Sequence, residues 1–408
     1  MLSVNQAESV ILNSVNSLKE LETLPLEKAF NRVLAESLTS NLDFPYWDNS
    51  AMDGYAVRFE DVQNASPDQP VTLTIIEEIP AGRKPQLVLR SRQAARIFTG
   101  AMLPEGADTI VMQENTQRQD DQVSIRIAPP HIQNFVRKRG EYAQRGETLL
   151  SAGIQIKEAE MAILATAQKT EIPVYRRPKV AIFSTGDELI SPEQTLEPGQ
   201  IIDSNQYALT AFVQSQGAIP LKLGIVPDQR DRLRETMSQA IEQADIVLST
   251  GGVSVGDYDY VEELLAELGG EILIRSVAIK PGKPLTVAKF ANGCVYFGIP
   301  GNPVSALVSC WRFVQPALKK LSGLTSPWHP LFIQARSLSQ LKPDSKRESY
   351  LWGKINWNEA GIPEFQVASG SHSSGNLINL AQTNALAQLP INNEMILVGE
   401  TINVMLIR

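Results

Sequence analysis

Hydrophobic positions along the chain follow two regimes that meet near residue 178. Ahead of that point the periods are mixed. Ser3 and Gln6 form a capping box before Ala7, Val10, Ile11, Val15 and Leu18, which recur at helical spacing and predict a first helix. Leu24-Pro25 is a break, and Ala29, Val33 and Leu34 make the apolar stripe of a second predicted helix over 26–38. Four short β runs follow, at Val71–Ile76, Ala94–Phe98, Thr109–Met112 and Val123–Ile127, divided by Gly and Pro. They predict a small all-β insert. An Ala-rich amphipathic helix is expected over 157–167, and 173–178 is read as a linker.

Beyond the linker the pattern alternates between buried strand and amphipathic helix. Lys179–Ser184, Leu221–Val226, Ile246–Leu248, Ile272–Ile279, Leu285–Lys289 and Cys294–Ile299 are the predicted strands. Helices are expected over 203–216, 230–244, 261–268 and from 303 to about 321. This is the signature of an open α/β domain with a mostly parallel sheet.

The loops that close these strands carry the candidate chemistry. They are Thr185-Gly186-Asp187-Glu188, Pro227-Asp228, Ser249-Thr250-Gly251-Gly252-Val253-Ser254-Val255-Gly256-Asp257-Tyr258-Asp259, Lys280-Pro281-Gly282-Lys283 and Pro300-Gly301-Asn302-Pro303-Val304-Ser305. In open α/β sheets ligands bind in the crevice at the carboxyl ends of the strands. Adjacent glycines permit positive φ and close approach of a ligand. Glycine-rich backbone and helix N-termini near Gly251 and Gly301 suit anions. Lys280 and Lys283 add positive charge. Glu188, Asp228 and Asp259 add carboxylates for a hard cation or for proton transfer. Each carboxylate taken alone is as well explained as a helix cap or a surface charge. Neither common nucleotide fingerprint, Gly-x-x-x-x-Gly-Lys-Ser/Thr or Gly-x-Gly-x-x-Gly, is present. No Ser-His-Asp or Cys-His arrangement is visible, which disfavours acyl transfer through a covalent intermediate.

A second unusual stretch lies in the earlier half. Phe44-Pro45-Tyr46-Trp47-Asp48-Asn49-Ser50-Ala51-Met52-Asp53-Gly54 has no strand or helix period and is dense in aromatic and polar groups, as loops held by a ligand or partner are. The basic run Arg137-Lys138-Arg139 meets phosphate or is a solvated charged turn; both readings stay open.

Composition narrows the classes. At 408 residues with 43% hydrophobic content, the chain is long enough for several domains with real cores. A net charge of −8 argues against nucleic acid, and no apolar run reaches membrane-spanning length. The first residues show no basic segment before an apolar core, so no signal peptide is expected. The two cysteines, Cys294 and Cys310, lie in apolar runs and read as buried thiols of a reducing compartment, so a cytoplasmic protein is expected. Three histidines, spaced far apart, offer no clustered metal site.

Six motifs occurring in order resemble the molybdopterin molybdenumtransferase family, whose members include bacterial MoeA and the E domain of gephyrin. They are 48–56, 97–101, 184–189, 249–259, 280–284 and 300–305, and with them the resemblance covers almost the whole chain. It implies four parts: a helical and extended linker domain (1–44 with 144–174, its first helix set against the α/β domain), a β insert (45–143), the α/β domain (175–326) and a C-terminal β-barrel-like domain (327–408). It also implies a homodimer whose cleft lies between the α/β domain of one subunit and the β insert of the other. Molybdenum cofactor biosynthesis is the implied function. Molybdate is inserted into adenylylated molybdopterin, with Mg²⁺-assisted cleavage of the pyrophosphate bond and release of AMP.

Carried onto this chain, the resemblance makes Asp53 and Thr99 the polar contacts of the β insert. Glu188, Asp228 and Asp259 become the acidic, metal-holding set, and Lys280 and Lys283 the pair facing molybdate and phosphate. Substrate contacts are expected from Asn49, Ser50, Thr185, Gly186, Gly251, Gly252, Ser254, Gly256, Pro300, Gly301, Asn302, Pro303 and Ser305, with Ser371 from the C-terminal domain. Gln229 stands where relatives often carry a second aspartate, and the match is loose around Tyr350 and Leu351. Molybdopterin adenylyltransferase and molybdoenzyme-maturation proteins are the expected partners. A molybdopterin adenylyltransferase itself would be a single α/β domain and would lack the β insert. A non-catalytic scaffold would have no need of the intact acidic and basic set.

Overall fold

The computed structural model describes residues 1–252, 260–391 and 394–407. It divides the chain into two compact units, one of residues 1–36, 153–158 and 171–408, the other of residues 37–152 and 159–170.

The first unit is built on a six-stranded sheet of β1 (Lys179–Thr185), β2 (Ile219–Val226), β3 (Ile246–Thr250), β4 (Glu271–Ser276), β5 (Pro284–Lys289) and β6 (Val295–Ile299), in spatial order β2-β1-β3-β6-β5-β4. The β1–β2, β1–β3 and β3–β6 pairs are parallel, and β5 runs antiparallel to both β6 and β4. Strands covered on both faces read as continuous apolar runs rather than alternating ones, and β3 and β6 are buried along their whole length. One face carries Val180, Ile182, Leu248 and Phe297 against Leu209, Phe212 and Val213 of α2 (Asn205–Ser215). The other carries Ala181, Phe183, Val247 and Tyr296 against Leu233 and Met237 of α3 (Arg230–Gln243) and Leu264 of α4 (Val261–Glu267). The helix predicted at the start, α1, spans Val4–Ser14 with its capping box in place, and Val4, Ala7 and Ile11 join the first of these cores. Cys294 and Cys310 are buried thiols, and burial pushes Cys294 up to about 12.

Residues after 330 form β7 (Phe332–Ser337), β8 (Glu348–Trp357), β9 (Pro363–Val367), β10 (Ala385–Leu389) and β11 (Thr401–Leu406). The order β8-β9-β7-β11-β10 closes through a β10–β8 pairing into a five-stranded barrel around Phe365, Ile355 and Val404. The parallel bridge of Ile279 and Lys280 to Glu348 and Ser349 extends its sheet. Tyr350 and Trp352 of β8 face outward into the core shared with α1 and the α/β sheet.

The second unit holds a six-stranded sheet in the order 109–112, 54–57, 93–97, 71–79, 122–125, 116–119. Each of the four β runs expected in the insert is a strand of this sheet.

Three expectations are corrected. The helix over 26–38 is absent: a single 3-10 turn at Leu26–Lys28 ends before Asn31, whose φ is +61°. Val33 and Leu34 are buried as expected but as isolated β-bridges to Gln155 and Val174, so the apolar spacing reported burial and not helix. The 173–178 linker begins inside a strand, Glu171–Tyr175, which pairs antiparallel with Leu21–Pro25 across the supposed Leu24-Pro25 break. In a two-stranded ribbon each proline can turn its missing N–H outward. The strand expected over 272–279 stops at Ser276, and 279–280 pairs with the barrel instead.

Candidate functional site

Because β1, β2, β3 and β6 run parallel and β4 points the same way, the loops after them emerge at one edge of the sheet. The loop from β4 to β5, which bears Lys280 and Lys283, lies at that edge too. The backbones there are in contact. A Cβ on Gly251, at φ +89°, would sit 2.3 Å from the carbonyl oxygen of Thr185, so only glycine lets the loops after β1 and β3 approach this closely. The side chain of Asn205 donates to Gly301 O at 2.7 Å and fixes the loop after β6 to the start of α2.

A cleft of about 670 Å³ opens above this edge and is lined by Thr185, Gly186, Glu188, Asp228, Gly251 and Gly252, with Pro300 to Pro303 closing one side. The Thr185 hydroxyl donates to Asp228. Asp187 accepts the Asp228 backbone N–H at 3.0 Å. Asp228 therefore does not cap α3, whose N-cap residue is Gln229, without a side-chain cap. The carboxylate of Glu188 folds back over Gly186. Ser254, Gly256 and Asp259, expected to complete this rim, lie outside the described residues. Among the described residues no group of three His, Cys, Asp or Glu side chains is placed to hold a metal ion.

A second cleft of about 320 Å³ shares Pro284, Pro300 and Asn302 with the first. Lys280, Lys283, Lys342 and Arg347 line it, along with Ser305. The helix expected after Gly301 is α5 (Pro303–Ser309), but its start offers less to an anion than expected. Pro303 has no N–H, and that of Val304 already donates to Ser374 O at 3.0 Å. Ser374 also accepts from Asn302 at 3.0 Å. Ser371 is exposed and its carbonyl holds Asn376 and Asn379, whereas its neighbours His372 and Ser374 line the cleft.

The expected residues of the second unit form a site corner of their own. Asp53 and Thr99 lie at the ends of paired strands, where Gly54 is opposite Ile97. Asp53 Oδ1 accepts the Thr99 N–H at 2.7 Å and the Thr99 hydroxyl at 2.8 Å. The backbone bond first, the hydroxyl second and nearby Arg96 after them hold this fully exposed carboxylate below its ordinary value. Such a depressed group contributes stability above the ordinary carboxylate range and loses it as pH falls through the lowered pKa. Thr99→Val removes one of the two donors. The Asp53 midpoint, read by carbon NMR titration, is expected to rise toward the ordinary value; an unchanged midpoint would show that the hydroxyl does not hold it. Asn49 and Ser50 turn inward: the Ser50 hydroxyl donates to Met52 O at 2.6 Å and Asn49 donates to Trp47 O at 3.2 Å. The basic run is tied down locally, Arg139 pairing with Asp43 at 2.6 Å.

Sequence reasoning did not single out Lys342, Arg347, Ser374 or Asp203. The first three belong to the barrel and the loops around it, where no local motif marks them, and only tertiary packing brings them to the cleft. Asp203 had a signal, since it opens a predicted helix; its carboxylate accepts the N–H groups of Asn205 and Gln206 at 3.0 and 3.3 Å.

An α/β sheet with a glycine-lined crevice, a cationic annex and an appended barrel defines an α/β protein of several domains. Family models identify it further. "MoeA N-terminal region (domain I and II)" matches residues 2–167, "Probable molybdopterin binding domain" matches 181–320, and "MoeA C-terminal region (domain IV)" matches 334–407. A Nostoc protein named molybdopterin molybdenumtransferase is 53% identical over 99% of this chain and 94% of its own length. One of the same name from Haemophilus influenzae is 35% identical over 99% and 98%. The crystal structure of a molybdopterin biosynthesis moeA protein from Pyrococcus horikoshii superposes with a TM-score of 0.86 at 30% identity, covering 100% of both chains. The chain belongs to the MoeA family of molybdopterin molybdenumtransferases. Among the described residues no helix is long and apolar enough to cross a membrane.

Proposed function

We propose that this chain works in molybdenum cofactor biosynthesis as a molybdopterin molybdenumtransferase. Its substrates on this reading are molybdate and adenylylated molybdopterin. The observation that carries the reading is the pair of adjoining clefts, one lined by close-packed glycine backbone and oxygen donors, the other by four cationic side chains. A phosphate-bearing ligand suits the first and a tetrahedral dianion the second. Lys283 and Lys280 orient molybdate beside the dithiolene. Loops after β1, β3 and β6 hold the nucleotide end, and cleavage of the P–O–P bond by water releases AMP. The oxygen donors of Asp228 and Glu188, together with the carboxylate of Asp259 that follows β3 in the sequence, have the chemistry of a Mg²⁺ site. Bound there, Mg²⁺ would polarise the pyrophosphate oxygens.

A homodimer fits the exposed Asp53–Thr99 corner, which on this reading completes the cleft of a partner subunit. An adenylyltransferase would supply the substrate in the cytoplasm, and molybdoenzyme-maturation proteins would receive the product. The adenylyltransferase reading of this chain itself is less favoured, because the relatives that match it end to end carry the other name. The direct experiment mixes purified protein with adenylylated molybdopterin and follows AMP. Release that needs both molybdate and Mg²⁺ is expected, and release indifferent to molybdate would reject the assignment. Mixed dimers of Asp53→Ala and Lys283→Ala should recover part of the rate lost in each parent; no recovery after verified subunit exchange would count against a shared cleft.

A further inference from the structure

Two of the cations that line the cationic cleft, Lys280 and Arg347, share a counter-ion, Asp344. Asp344 lies on the segment leading into β8, with only 17% of its side chain exposed. One carboxylate oxygen, Oδ1, accepts the backbone N–H groups of Lys346 and Arg347 at 2.9 and 3.1 Å, so the turn fixes the carboxylate in place. The other oxygen, Oδ2, faces two of the four cations of the cleft: Lys280 Nζ at 3.1 Å and Arg347 Nη2 at 3.6 Å. Lys283 and Lys342 line the same cleft with no ion-pair partner among the described residues. The backbone donors and Lys280 hold Asp344 at about 2, so it is ionised throughout the neutral range.

We propose that Asp344 is a built-in competitor for the oxyanion, a specificity-determining residue that lowers the affinity of the cleft for tetrahedral dianions. The inference rests on the oxyanion reading of this cleft given above. An entering dianion shares Lys280 and Arg347 with a carboxylate that cannot leave, since the turn anchors it. Four cations without an internal anion would retain any abundant oxyanion, sulfate and phosphate included. With Asp344 in place, a ligand must also engage Lys283 and Lys342 to bind well, which favours one held at several points over a loose ion. A residue that merely organised the lysines would have the opposite effect on removal, so the sign of the change discriminates.

The test is calorimetric titration of molybdate and of sulfate into wild type, Asp344→Asn and Asp344→Glu, with Lys283→Ala as the control for the site. Asn keeps an oxygen for the two backbone N–H groups and removes the charge. Asp344→Asn is expected to bind both oxyanions about fivefold more tightly, the scale of a partly exposed ion pair, with sulfate gaining at least as much as molybdate. Asp344→Glu should stay near wild type. Asp344→Ser, whose hydroxyl can accept from the same N–H groups, provides the same reading if the Asn variant fails to fold. Equal or weaker binding by the folded Asn or Ser variant overturns the proposal while leaving the oxyanion site standing. Wild type that binds no oxyanion, or binding that Lys283→Ala leaves intact, overturns the site reading and this inference with it.

Discussion

Replacing Glu8 with Ala is expected to cost about 3–5 kcal/mol, because it strands a buried guanidinium. Glu8 is 8% exposed and Arg312 is 2% exposed. They come from α1 and from the π-helical turn Cys310–Val314 that joins α5 to α6 (Gln315–Leu321). Arg312 donates to both carboxylate oxygens of Glu8, to Oε2 at 3.3 Å. Its Nε donates to the Tyr350 hydroxyl at 3.0 Å, and that hydroxyl donates to Glu348 at 2.6 Å. Burial pushes the Tyr350 phenol up, so it stays neutral and keeps its proton for Glu348. The chain of groups thus ties α1, the helix after β6 and barrel strand β8 together, and β8 forms one wall of the cationic cleft. An intact buried pair adds little net stability, whereas half of one is costly. The double variant Glu8→Leu with Arg312→Met should therefore recover most of the loss. Urea unfolding of the protein measures both, and a loss below about 1 kcal/mol for Glu8→Ala would show that water reaches and solvates the stranded Arg312 guanidinium.

The parts of the fold legible in the sequence are those where burial and period agree. Strands and helices from Lys179 to Leu321 follow the expected order because the central strands β1, β3 and β6 are buried on both faces and each helix on one. Agreement fails at 26–38. Ala29, Val33 and Leu34 have helical spacing, but Asn31 between them has positive φ, and Val33 and Leu34 are placed by two β-bridges, a tertiary solution that spacing cannot report. Prolines misled at 173–178 for a similar reason, since a proline is tolerated where its side of the strand needs no donor. In the site, glycines and lysines were legible because the loops that bear them are contiguous. Asp53 and Thr99, 46 positions apart, meet only through the register of two strands, and a family pattern was needed to pair them. Lys342, Asp344 and Arg347 had no pattern of either kind; the closure of the barrel against the β4–β5 loop brings them in.

Gly251→Ala is expected to lower AMP release about 100-fold, a size typical of a misplacement near 1 Å in a catalytic cleft. Two costs combine at this position. Its φ of +89° is one that a non-glycine residue adopts at about 1–3 kcal/mol. The added Cβ would also lie 2.3 Å from Thr185 O and 3.3 Å from Thr185 C, which is backbone at the end of β1 and cannot swing aside as a side chain would. Relief requires the loops after β1 and β3 to part. Thr185 carries Asp228 through its hydroxyl, and Glu188 follows three residues later, so the displacement reaches the acidic rim of the cleft. Gly399 separates the two costs. Its φ is +90°, and a Cβ there meets nothing within 4 Å. Gly399→Ala pays for backbone strain alone and should keep near-normal AMP release, while its unfolding midpoint falls modestly. Gly251→Ala should lose both stability and turnover, with the larger loss in turnover. If it releases AMP within threefold of Gly399→Ala, the contact between these loops does not set the geometry of the cleft.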